Sequence, residues 1–178
     1  MAPEALSRFY KDQAPGRHGP GSAVGASWMT REDRESEIND YVRYLDRLAD
    51  TLLQSGARAP RVTVLGFSQG VATAARWTAL GRVHADRLVL WGDWLPPDLD
   101  LGAARRAWSR TEVTLVRGDA DPVVAHPLER DQEAARIRDA GLPVRHLAYR
   151  GGHDIHPATL ATLAGAEAQP APEPRSDT

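Results

Sequence analysis

Gly66-Phe67-Ser68-Gln69-Gly70 stands between two runs that favour different backbones. Before it comes Val62-Thr63-Val64-Leu65, apolar and β-branched; after it comes Val71-Ala72-Thr73-Ala74-Ala75, rich in alanine. The first run reads as a buried strand and the second as a helix. The chain therefore has to turn sharply between them, with Ser68 at the apex. A serine in such a turn is held in a strained backbone conformation, with its hydroxyl standing proud of the sheet. The flanking glycines leave room for strand and helix to approach. The helix N-terminus then points N–H groups at negative charge developing beside the hydroxyl. The plainer alternative is a tight structural turn.

The same alternation runs through the chain. Residues 1–30 read as irregular, with Pro15-Gly16-Arg17-His18-Gly19-Pro20-Gly21-Ser22 a loop by composition. A long helix is expected over residues 31–55. Thr30 is its N-cap, with Asp33 three residues on, and Gly56 is its stop. Its apolar face carries Ile38, Tyr41, Val42, Leu45, Leu48, Ala49, Leu52 and Leu53, and its charged face reads as solvated surface. Strands are expected at 61–66, 87–91, 112–117 and 144–149. Helices are expected from the turn to Leu80, at 103–109, at 126–140 and from Pro157 to about Ala168. Residues 31–168 thus form one α/β domain: a parallel sheet with helices on both faces and right-handed crossovers. Residues 169–178, proline-rich and polar, read as a disordered tail.

Composition narrows the classes. At 178 residues, 42% hydrophobic and 26% charged, the chain has the make-up of an ordinary globular domain. A net charge of −2 gives no reason to expect nucleic acid or an anionic membrane as partner. The absence of cysteine removes disulfides, thiolate zinc sites and a cysteine nucleophile together. No apolar run reaches membrane-spanning length, and the first ten residues lack the regions of a signal peptide. The cytoplasm is the default location.

Ligands and catalytic groups in parallel sheets gather beyond the carboxyl ends of the strands. Ser68 follows the first strand of the expected sheet, Asp119 and Asp121 follow the third, and His153 follows the fourth. A serine hydroxyl needs a base within hydrogen-bond reach, and the base needs an orienting carboxylate. Asp121 is the preferred acid, because the Asp121-Pro122 bend carries it further from the strand end. Asp119 is the alternative, and otherwise hydrogen-bonds the turn backbone. His153 is the preferred base, since Gly151-Gly152 frees its loop to fold over the serine. His156, next to Pro157, is a rival or a helix cap, and His126 is a candidate for the pocket wall. His153-Asp154-Ile155-His156 matches no closed zinc pattern, so no metal is assigned. The backbone N–H of Gln69 is one oxyanion donor. A second donor normally follows an earlier strand in a His-Gly-type loop. His18-Gly19-Pro20-Gly21 resembles one only superficially: it follows no expected strand, and Pro20 has no N–H. Trp91, Trp94, Leu95 and Val124 either line an apolar acyl pocket or belong to the core.

The order Ser, Asp, His is that of α/β-hydrolases. With Gly66-Phe67-Ser68-Gln69-Gly70, Gly118-Asp119-Ala120-Asp121-Pro122-Val123-Val124 and Gly151-Gly152-His153-Asp154, the chain resembles the phospholipase/carboxylesterase group of that superfamily, which includes acyl-protein thioesterases. Ala26-Ser27-Trp28-Met29 adds to the likeness, which covers about residues 22 to 165. The resemblance implies hydrolysis of small carboxylic esters or thioesters through an acyl-enzyme, with no cofactor. It also implies strands upstream of those found here, with Ala2 to Tyr10 at the end of that region. The start is then misassigned, the gene is truncated, or this is a divergent short form. The strand before Ser68 would be an open edge and a possible homodimer contact. A non-catalytic remnant and a hydrolase of peptides or lactones are the competing expectations.

Overall fold

The computed structural model describes residues 1–11, 19, 21–54 and 60–165. Its elements run β1 (Ser7–Tyr10), β2 (Val24–Ser27), α1 (Arg34–Leu53), β3 (Thr63–Phe67), α2 (Gln69–Leu80), β4 (Arg87–Trp91), α3 (Leu101–Ala107), β5 (Glu112–Gly118), α4 (Pro127–Asp139), β6 (Val144–Tyr149) and α5 (Pro157–Ala164). The stop expected at Gly56, His18 and Pro20 of the 18–21 loop, and the 169–178 tail lie outside the described residues.

The main sheet is parallel, in the order β3-β4-β5-β6. Its side chains alternate between two cores. Leu88 and Leu90 of β4, with Val113 and Leu115 of β5, join Val71, Ala74, Ala104 and Ile137 from α2, α3 and α4. Val89, Trp91 and Val116 face the other way with Tyr149, and Leu163 of α5 packs on them. Helices therefore cover both faces, as a parallel sheet of near-continuous apolar strands requires. β3 lies at the edge, with no strand on its outer side among the described residues.

Three expectations need correction. Residues 1–30 contain an antiparallel hairpin, with Ser7 opposite Ser27 and Tyr10 opposite Val24. Its strands are short and largely exposed, so they carry no apolar alternation to read. Helix α1 starts later than expected, with Asp33 at its N-cap position and no side-chain cap bond. Thr30 instead gives its hydroxyl and backbone N–H to Glu37, which also accepts the Ser7 hydroxyl at 2.8 Å. That carboxylate ties the hairpin to α1. Finally, the charged face of α1 is not all solvated. Asp46 is buried and accepts the Trp77 indole N–H and the Arg82 backbone N–H, each at 2.9 Å, fastening α1 to the end of α2.

Among the described residues no helix is long and apolar enough to cross a membrane.

Candidate active site

Ser68 occupies the turn between β3 and α2 with φ 52° and ψ −124°, the only non-glycine residue with positive φ among those described. Such a backbone costs on the order of 1–3 kcal/mol and persists because its surroundings hold it. Here the Ser68 N–H donates to the Trp91 carbonyl at 2.9 Å, and the Val71 N–H closes on the Ser68 carbonyl at 2.8 Å. Gly66 permits this geometry: a Cβ there would stand 2.2 Å from the Gly70 carbonyl oxygen. Gly70 is different, since a Cβ there would meet nothing within 4 Å. Close approach therefore demands the first glycine of the turn, contrary to the expectation that both are needed.

The other two strand ends converge on this serine. His153 Nε2 lies 3.0 Å from Ser68 Oγ, and His153 Nδ1 lies 3.0 Å from Asp121 Oδ2. Asp121 is fully buried at its side chain, and its second oxygen accepts the Val123 N–H at 2.9 Å. Two neighbours crowd the imidazole. The Phe67 ring lies 4.9 Å from it, and a Cβ on Gly92 would stand 3.3 Å from its Nδ1. Asp119 takes no part in this chain. It accepts the Gly151 N–H at 3.0 Å, bonding the histidine loop rather than its own turn. His156 caps α5, with Nδ1 2.9 Å from the Thr159 hydroxyl, and His126 is the exposed N-cap residue of α4.

Gln69 opens α2, so its backbone N–H has no acceptor within its own helix. Its side chain has a function the sequence did not reveal. Oε1 accepts the Trp28 N–H at 3.2 Å, and Nε2 donates to the Ser27 hydroxyl at 2.9 Å and the Met29 carbonyl at 3.1 Å. The loop after β2 is thereby pinned beside the serine. The distance in sequence between these partners leaves no local signal. The match of Ala26-Ser27-Trp28-Met29 to the family pattern was the available clue.

Three of the four residues expected to line a pocket are core. Trp91 and Val124 are fully buried and Leu95 is 2% exposed. Trp91 points into the second core, and Leu95 into the first. Trp94 alone keeps partial exposure. Its indole N–H reaches the Val123 carbonyl at 3.1 Å, and the Arg117 guanidinium stacks 4.2 Å from its ring centre. Arg117 is in turn ion-paired with buried Glu133. The neighbouring Asp93 was not anticipated. Burial pushes its carboxyl up, opposed by the Trp94 N–H and by its electrostatic interaction with His153 and Arg117. The cavity that does reach Ser68 lies elsewhere. It is a groove of about 780 Å³ along β3, walled by Leu45 and Leu48 of α1 and Ala74 and Trp77 of α2.

A parallel sheet with a serine on a strained strand–helix turn, and histidine and aspartate from later strand ends, defines an α/β-hydrolase-type fold. A sequence profile described as phospholipase/carboxylesterase matches residues 18–164, and the chain belongs to that family of hydrolases. No curated protein sequence matches it significantly. Among solved structures, acyl-protein thioesterase 2 of Zea mays superposes with TM-score 0.56 at 17% identity, over 82% of this chain and 72% of that one. SOBER1 of Arabidopsis thaliana superposes with TM-score 0.63 at 20% identity, over 82% and 74%. Esterase PE8 does so with TM-score 0.56 at 21% identity, over 79% and 68%. At these identities the likeness is one of fold.

Proposed function

We propose that this chain is a serine hydrolase that cleaves carboxylic esters or thioesters through an acyl-enzyme. The observation that carries the reading is the hydrogen-bonded line from Asp121 through His153 to Ser68, with 3.0 Å at each step. In this scheme Ser68 Oγ attacks the substrate carbonyl while His153 Nε2 accepts its proton. Asp121 fixes the tautomer with Nδ1–H toward the carboxylate and stabilises the imidazolium that forms. The same proton passes to the departing alcohol or thiol. Water, deprotonated by His153, then releases the acid and restores Ser68. The Gln69 N–H at the start of α2 faces the developing oxyanion. Trp94 is the aromatic surface retained for substrate contact. The thioesterase and esterase among the structural neighbours make oxygen and sulfur esters the first substrates to test.

A fluorophosphonate probe with short-chain p-nitrophenyl and thioester substrates tests this directly. The folded wild-type chain is expected to label at Ser68 and turn over at least one substrate, and Ser68→Ala and His153→Ala to lose both. A folded wild-type chain that stays unlabelled overturns the proposal in favour of a non-catalytic remnant. A single donor is identified for the oxyanion. Loss of one donor costs about 10²–10³ in turnover elsewhere, so slow turnover alongside clean labelling agrees with the scheme.

A further inference from the structure

The loop that carries His153 begins Gly151-Gly152, which gives it little stiffness of its own. Its first residue is held by the acid turn: Gly151 donates to Asp119 and accepts the Ala120 N–H at 2.9 Å. The residues on either side of His153 are held from below by one side chain. Tyr149 closes β6 with its ring buried, and its hydroxyl lies 2.7 Å from the Gly152 carbonyl and 2.6 Å from the Asp154 carbonyl. The same oxygen lies 3.2 Å from Trp91 Nε1 and 3.2 Å from Asp154 Oδ1.

We infer that Tyr149 is a positioning residue for His153: its hydroxyl, set by the Trp91 indole, clamps the peptide carbonyls that flank the histidine. The inference rests on the triad reading above. A phenol has one proton and two lone pairs. The Trp91 N–H can only donate, so it occupies a lone pair and leaves the single phenol proton to be shared between the two carbonyls, with Asp154 Oδ1 as the more distant acceptor. Burial pushes the Tyr149 hydroxyl up from its ordinary range, with help from the Asp154 carboxylate, and this outweighs the opposing Trp91 and Asp154 backbone bonds, so it keeps the proton it must donate. The ring cannot swing away. His156 stacks on it at 5.3 Å and 15°, Trp91 lies 5.5 Å off, and a Cβ at Gly151 would stand 2.8 Å from its Cε2. Sheet, tyrosine and loop thus form one rigid support, so that Nε2 meets Ser68 without the loop having to find its place. Trp91, expected either in a pocket or in the core, acts on the site through this bond.

Tyr149→Phe keeps the ring and its stack and deletes only the hydroxyl. The readouts are the rate of Ser68 labelling by the fluorophosphonate, kcat and KM on an ester that the wild type cleaves, and the melting temperature. A misplaced catalytic group costs up to about 10²-fold. Labelling rate and kcat are expected to fall together between about 10- and 100-fold, with KM within about twofold of wild type. Trp91→Phe removes the donor that sets the hydroxyl and is expected to give a smaller loss of the same kind. It also serves as the test should Tyr149→Phe fail to fold. A lower melting temperature with wild-type labelling and kcat in a folded variant overturns the inference, because the tyrosine is then only a structural support. A folded wild-type chain that does not label overturns the triad reading itself, and this inference with it.

Discussion

Gly66→Ala has to drive a methyl group to within 2.2 Å of the Gly70 carbonyl and 2.9 Å of the Ala74 Cβ. Neither neighbour can yield without lifting the first turn of α2 from β3, and Ser68 rides on that turn. Overpacking of this kind costs about 1–3 kcal/mol. We expect that loss in urea unfolding, together with loss of Ser68 labelling. Gly70→Ala should do the opposite. Its Cβ meets open space at a helical position, so the substitution is expected to add about 0.5–1 kcal/mol by limiting the unfolded chain and favouring the helix. Equal destabilisation by the two variants would show that the turn needs both glycines alike. The pattern G-x-S-x-G treats these positions alike, because a pattern records residue type and not what each Cβ would strike.

At the scale of elements, strands and helices were legible wherever periodicity or a breaker marked them. Arg87–Trp91 and Val144–Tyr149 stand where expected, and Gly81 ends α2. Side chains that join elements were not legible, because their partners are remote in sequence. Asp46, Glu37 and Gln69 each bind backbone or side chains far along the chain, and each looks like an ordinary surface residue in its own segment. Parity along β4 would have separated core from pocket: Trp91 shares a face with Val89, in a strand buried on both sides. A second such junction gives a pH prediction. Asp98 accepts Arg76 and Arg34, each at 2.6 Å, joining α2 and α1 through the loop before α3. Burial pushes its carboxyl up, but the Arg76 bond and charge, with help from Arg34, outweigh this and hold it below the usual aspartate range. A lowered folded-state pKa contributes stability above the unfolded value, and that stability is lost as pH falls through the folded value. Arg76, 4% exposed at its side chain, is then left without its carboxylate partner. Asp98→Asn is therefore expected to lower the urea midpoint at neutral pH, and the gap from wild type to close in strong acid. A gap that stays constant with pH would assign Asp98 a packing role instead.

Across the whole molecule, the sheet is guarded unequally. β4 and β5 are paired on both sides, and β3 is paired with β4 alone among the described residues. Thr63-Val64-Leu65-Gly66-Phe67 carries no charge and no proline, the devices that ordinarily blunt an edge. Leu65 is 39% exposed, and the groove beside it is lined mainly by apolar residues, with the Met1–Ala5 segment along part of it. Two copies approaching edge to edge could pair β3 with β3 antiparallel and shield both grooves, since a two-fold contact needs only one self-complementary surface. We therefore expect the wild-type chain to self-associate with rising concentration in sedimentation velocity. Leu65→Lys should shift it toward monomer by placing a desolvated charge opposite its own copy. The catalytic distances do not involve this side chain, so labelling of Ser68 should persist in the variant. If labelling falls as the dimer dissociates, the partner's edge helps to hold the β3 turn in shape. If the wild type stays monomeric at every concentration, the edge is protected within the single chain and the pairing is wrong.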